Sequence, residues 1–182
     1  DQVLSLDQPL SKALAKFFKV HGRPADTRLE RVTIAQLLTH RAGFAGASDG
    51  EDPATRSVLA AYLTTHSTRT APNSIFISSL LSTPLVRDPG LEFSYSNAGY
   101  FILGTVIEET TGQSYETYCR DKVLKPAGAS AMLDPTWAVL WSAGGWRMTG
   151  ADYLAFFEQL DPKRAAFGKT MNDWMLEPAG KT

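Results

Sequence analysis

Asp88-Pro89-Gly90-Leu91-Glu92-Phe93-Ser94-Tyr95-Ser96-Asn97-Ala98-Gly99-Tyr100 is the stretch whose reading decides the fold. Asp-Pro-Gly reads as a turn, because proline fixes φ at the first central position and glycine accepts a positive φ at the second. Phe93-Ser94-Tyr95 then reads as a short extended piece. A helix is expected to begin at Asn97, whose side chain can accept from the free N–H groups of the first turn. Tyr100, Phe101, Leu103, Gly104, Val106 and Ile107 cover almost its whole circumference, and Gly112 closes it. A helix this apolar is central, so Tyr95 and Asn97 fall where a buried helix starts, near unsatisfied backbone donors. By themselves these residues leave two roles open. Tyr95 can be a core aromatic and Asn97 a helix cap, or both can belong to a site.

Outward from this stretch the pattern is helical. Leu10, Leu14, Phe17 and Phe18 share one helix face. His21-Gly22-Arg23-Pro24 breaks that run, and a charged connection follows through Arg31. Thr33-Ile34-Ala35-Gln36 has the form of a capping box, with Ile34, Leu37 and Leu38 pointing inward. Residues 45–52 form a polar, Gly-rich loop, and a helix over Pro53–Thr65 carries Val58, Leu59, Tyr62 and Leu63. Thr64–Pro72 reads as exposed connection. Ser74–Ser82 is a short helix with Ile77, Leu80 and Leu81, ended by Pro84. Ser114 can cap a helix bearing Tyr115, Tyr118 and Cys119, stopped by Lys125-Pro126-Ala127-Gly128. Trp137–Trp141 fits a strand or an irregular packed segment equally well. Thr149-Gly150-Ala151-Asp152 caps a helix with Tyr153, Leu154, Phe156, Phe157 and Leu160 inward. Met171, Trp174 and Met175 lie on a last amphipathic piece. Nothing supplies the strands of a large sheet.

The chain has 182 residues and a net charge of −1, so one domain over 1–182 is expected, with no nucleic-acid footprint. Cys119 is the single cysteine, which excludes an intrachain disulfide and a thiolate metal cluster. His21, His40 and His66 have no ligand spacing, so neither a metal nor another cofactor is expected. No apolar run approaches about 18 residues, so no transmembrane segment is expected. An Asp at position 1, with no signal-like segment, gives the expectation of a chain trimmed at its start.

Pro89–Tyr115 resembles the Tyr-x-Asn segment of the penicillin-recognising serine hydrolases: class C β-lactamases, DD-peptidases of that branch and related esterases. The resemblance extends over Leu4–Leu10, Leu37–Phe44 and Ser142–Leu160. It implies that Tyr95 takes part in the proton relay of a nucleophilic serine, and that Asn97 helps to hold the substrate. His40 fits a structural role near a helix C-terminus. The family's Ser-x-x-Lys is absent, because no serine of the chain has lysine three positions later. Its Lys/His-Thr-Gly strand is absent too: Lys169-Thr170 is followed by Met171.

The resemblance therefore implies an interior portion of that α+β fold, mainly α, made of the helical lobe with the main sheet missing. The link between Gly128 and Gly144 is shorter than the family's, which puts its strand pairing in question. The implied parent is a serine acyl hydrolase working through an acyl-serine, on a β-lactam, a D-Ala-D-Ala peptide or an ester. A periplasmic or secreted place in the bacterial envelope is implied for it. The isolated chain is expected to form no acyl-enzyme, and to self-associate through the surface left by the missing lobe. The alternative is a non-catalytic binding module or pseudoenzyme of the same fold.

Two decoys fail. Gly46-Ala47-Ser48-Asp49-Gly50 satisfies the nucleophile-elbow pattern, but no buried strand precedes Ser48 and Pro53 follows closely. Gly168-Lys169-Thr170 lacks the earlier glycine of a phosphate-binding loop.

Overall fold

Ser96 starts the helix on which the larger part of the molecule is built. The computed structural model describes residues 4–46, 49, 52, 73–134 and 138–161. The expected helix over Pro53–Thr65, the connection that follows it, Ser48, His66, Trp137 and the amphipathic piece around Trp174 lie outside the described residues. The chain divides into two compact units, Asp1–Tyr115 with Pro135–Gly145, and Glu116–Asp134 with Trp146–Thr182.

In the first unit, α1 (Leu10–Ala13) and α2 (Ala15–His21) replace the single helix expected there, with a break at Leu14. Leu10, Leu14, Phe17 and Phe18 stay buried across the break. The connection to Arg31 contains a 3-10 turn, Thr27–Arg31, capped by Asp26. α3 (Ile34–Leu38) opens with the complete capping box of Thr33 and Gln36. α4 (Asn73–Leu81) buries Phe76, Ile77, Leu80 and Leu81.

α5 (Asn97–Thr111) has the extent its sequence predicts, and Gly112 ends it with φ 68°. α1, α3, α4 and the 3-10 segment Ala138–Ala143 all pack on it. Phe101, Ile102 and Val106 are consequently buried, and Phe101 meets Phe76 edge-to-face at 4.7 Å. A side chain at Gly104 would bring its Cβ within 2.6 Å of Ser142 Cβ, so only glycine admits this approach. Ser142 Oγ donates to the Tyr100 carbonyl at 2.8 Å. The Asp88-Pro89-Gly90 turn forms as read, with Gly90 at φ 90°. The Arg28 guanidinium anchors it, donating to Asp88, Asp26 and the Leu85 carbonyl.

In the second unit, to which all of α6 (Tyr115–Cys119) but its first residue belongs, that helix runs into a wide helical turn, Arg120–Leu124. A strand pair that the sequence did not announce follows. β1 (Ala131–Leu133) runs antiparallel to β2 (Trp146–Met148), with Met132 opposite Arg147. Three-residue strands carry too short an alternation to be distinguished from loop. α7 (Gly150–Phe157) is capped by Thr149 as expected. Its apolar residues are not all inward, however: Tyr153, Leu154 and Phe157 are exposed, while Phe156 and Leu160 are half-buried. The described chain is thus mainly α with a two-stranded ribbon.

Candidate functional site

Extended backbone sends successive side chains to opposite sides. Phe93 and Tyr95 point out, 62% and 53% exposed, while Ser94 and Ser96 point in, 6% and 3% exposed. Tyr95 is therefore no core aromatic. Its hydroxyl donates to Asn97 Oδ1 at 3.2 Å, so the structure brings the two sequence-predicted site residues together. Asn97 is the first residue of α5 rather than its cap. The cap is Ser96, whose extended backbone and inward hydroxyl suit it to accept from Ala98 N–H at 3.3 Å.

The inward serines meet carboxylates from far along the chain. Ser96 Oγ donates to Asp52 Oδ1 at 2.8 Å, and Asn97 N–H donates to Asp52 Oδ2 at 2.8 Å. Asp52 is buried, and a buried carboxylate is tolerable only when hydrogen-bonded. It also lies at the positive end of α5, where negative charge is favoured. Ser94 Oγ donates to Asp49 Oδ2 at 3.1 Å. The Arg87 fork grips Asp49 through both terminal nitrogens and holds its carboxyl well below the usual carboxylate range.

His40 supports the same segment from another direction. It follows α3 in the left-handed region, with φ 55°, and its carbonyl accepts from Ser94 N–H at 2.9 Å. Its ring lies 4.5 Å from that of Tyr95, 5.1 Å from Tyr100 and 5.8 Å from Phe93. Nδ1 faces the Ser96 backbone, 3.3 Å from N–H and 3.2 Å from the carbonyl oxygen. Burial lowers the imidazole pKa from its ordinary 6.5, while the Ser96 backbone and the Asp52 charge oppose that shift. The neutral ring is favoured.

The sequence points to Tyr95 and Asn97, but not to Asp49, Asp52, Ser94 and Ser96. The only local signal was serine at alternate positions around an outward tyrosine. Asp49 belongs to the Gly-x-Ser-x-Gly pattern, where it binds Ser94 and Arg87. Among the described residues no cluster of His, Cys, Asp and Glu could hold a metal ion, and no helix is long and apolar enough to cross a membrane.

A family model described as "Beta-lactamase" matches residues 1–181. The "Probable fimbrial assembly protein FimD, serogroup H1" of Dichelobacter nodosus is 32% identical over 135 residues, covering 74% of this chain and 30% of that protein. The crystal structure of a penicillin binding protein from Bacillus halodurans superposes with a TM-score of 0.69 and 22% identity, over 96% of this chain and 58% of the other. EstCE1, described as a hydrolase with promiscuous acyltransferase activity, gives 0.63 and 20% over 87% and 52%. The chain thus spans under a third of the first relative's length and a little over half of each of these two structures. At these identities the superpositions show the fold.

Proposed function

The chain belongs to the beta-lactamase family, and from that premise we propose that the protein carrying it is a serine acyl hydrolase in which Tyr95 moves a proton and Asn97 holds the substrate. One observation carries the reading. Tyr95 is turned outward from a backbone buried on either side of it, and its hydroxyl is already paired with Asn97. The reaction is attack of a serine oxygen on an acyl carbonyl, departure of the amine or alcohol with a proton, and hydrolysis of the acyl-serine by water. The acid–base work at each step is what a positioned phenol can share. Within that protein this chain supplies the helical part of the fold. The substrate is a β-lactam, a D-Ala-D-Ala peptide or a simple ester.

The alternative is a non-catalytic binding module or pseudoenzyme of the same fold. Intact-mass spectrometry after incubation with a reactive penicillin or a fluorophosphonate separates the two. The full-length gene product should be labelled on a serine outside this chain, and the isolated 182-residue chain should not be labelled. Tyr95→Phe should slow labelling by about 10²–10⁴-fold, the range of general acid–base contributions. An unlabelled full-length product would establish the binding module, and labelling on Ser48 would restore the elbow.

A further inference from the structure

We propose that Asp49 and Asp52 are positioning residues: together they clamp the backbone on either side of Tyr95 and so aim Tyr95 and Asn97 into the site. The inference rests on the roles just given to those two residues. Tyr95 sits between two inward serines, and each serine ends on a carboxylate brought from 45 and 44 residues away. Asp52 uses one oxygen on Ser96 and the other on the backbone N–H of Asn97, the residue that bears the second site side chain.

Helix capping explains only part of the arrangement, the contact of Asp52 with the free Asn97 N–H at the first turn of α5. Ser96 already caps α5 through Ala98 N–H, and Ser94 with Asp49 is not at a helix end. The rest is not explained by an incidental surface contact either. Gly46 N–H donates to Asp49 at 2.9 Å, and a Cβ at Gly46 would lie 2.6 Å from the Tyr95 carbonyl oxygen. Gly46 therefore lies directly against the Tyr95 backbone, and only glycine admits the approach. Breaking a hydrogen-bonded buried charge is costly, so this carboxylate fixes its partners firmly. Site groups need placement within about 0.5 Å, and a misplacement of about 1 Å can reduce rate by about 10²-fold.

The test uses the full-length gene product with a p-nitrophenyl ester as probe. Tyr95→Phe should lower kcat/KM by about 10²-fold or more. Asp52→Ala should lower it by about tenfold or more, mainly in kcat. Asp52→Asn should restore most of the loss, because its carboxamide can accept from Asn97 N–H and donate to Ser96 Oγ. Asp52→Ala combined with Tyr95→Phe should lose less than the product of the single losses, since one residue acts through the other.

A folded Asp52→Ala variant of parental rate, or losses that multiply, would overturn the clamp. If Asp52→Ala does not fold, Ser94→Ala takes its place and is read the same way. Tyr95→Phe at parental rate would refute the catalytic reading instead. In that event ring-labelled tyrosine NMR decides the clamp separately: the Tyr95 signals should move or broaden in Asp52→Ala, and unmoved signals would end it.

Discussion

Two helix starts in this molecule use the same pair of groups, a hydroxyl and a carboxylate, to different ends. At α7 the Thr149 hydroxyl accepts from Asp152 N–H, and the Asp152 carboxylate, three residues on, returns the contact and takes Ser130 N–H at 2.8 Å. The hydroxyl–carboxylate pair of that cap is exposed and three residues apart, although the carboxylate also reaches Ser130, 22 residues away. At α5 the carboxylate is Asp52, buried and 44 residues from the serine it holds. A local cap says where a helix begins. A distant carboxylate also fixes which way the residues before the helix face, and only the second kind can aim a site. The helices differ in the same sense: Phe101, Ile102 and Val106 of α5 are fully covered, whereas Tyr153, Leu154 and Phe157 of α7 are exposed.

The sharpest way to break this contrast is to truncate one apolar residue in each helix. Ile102→Ala should cost about 2–5 kcal/mol, because the side chain is fully buried and the cavity can relax only in part. Leu154→Ala should change stability by no more than about 0.5 kcal/mol, as at other exposed positions. Denaturant unfolding of both variants measures the difference. Equal losses would mean that a partner surface covers the face of α7.

The contrast also explains what the sequence made legible. Asn97–Thr111 was readable in full because its apolar circumference, the preceding extended residues and Gly112 agree. The Thr33–Gln36 box and the Thr149 cap were readable because their partners lie three residues away. Asp52 was not, since no periodicity links it to Ser96; only the folded chain does. The cap falls on Ser96 rather than on Asn97, where the sequence places it, for a related reason. Both residue types cap well, and the choice depends on which side chain is turned inward. Tyr95 and Asn97 were legible through a resemblance, while the groups that hold them were visible only as polar loop residues. On α7 the apolar pattern predicts an inward face, but the pattern does not say how much neighbouring surface exists to cover it.

Removing the two capping hydroxyls should give smaller effects that keep the same order. Ser96→Ala takes a donor from buried Asp52 and an acceptor from Ala98 N–H, and should cost about 1–3 kcal/mol. Thr149→Ala should cost about 1 kcal/mol, the usual value for an exposed cap. Thermal unfolding of the two variants reads both. A larger loss at Thr149 would show that the local cap, not the buried one, holds the more stable start.

The smallest expected effect is one of pH, and it should appear at α5 alone. His40 Nδ1 can accept from Ser96 N–H when it carries no proton, or donate to the Ser96 carbonyl when it does, but not both. Burial, the first cause, holds the folded-state pKa below the ordinary 6.5. The other titratable groups facing the ring are Asp52, Tyr95 and Tyr100, and burial raises the Tyr100 pKa further. With the folded value below the unfolded one, the unfolded chain takes up the proton first as pH falls. The His40 contribution is thus full above about pH 6.5 and is lost as pH drops through the folded value. At α7 the Asp152 carboxyl is held below its ordinary 3.8, chiefly by Thr149, so its contribution weakens only in stronger acid. Between about pH 7 and pH 5, where only an unperturbed histidine changes charge, amide exchange at the first turn of α5 should quicken relative to that of α7. His40→Gln should abolish the difference. A His40-dependent slowing at α5 over the same interval would show the reverse, that the imidazolium forms in the folded protein and donates to Ser96.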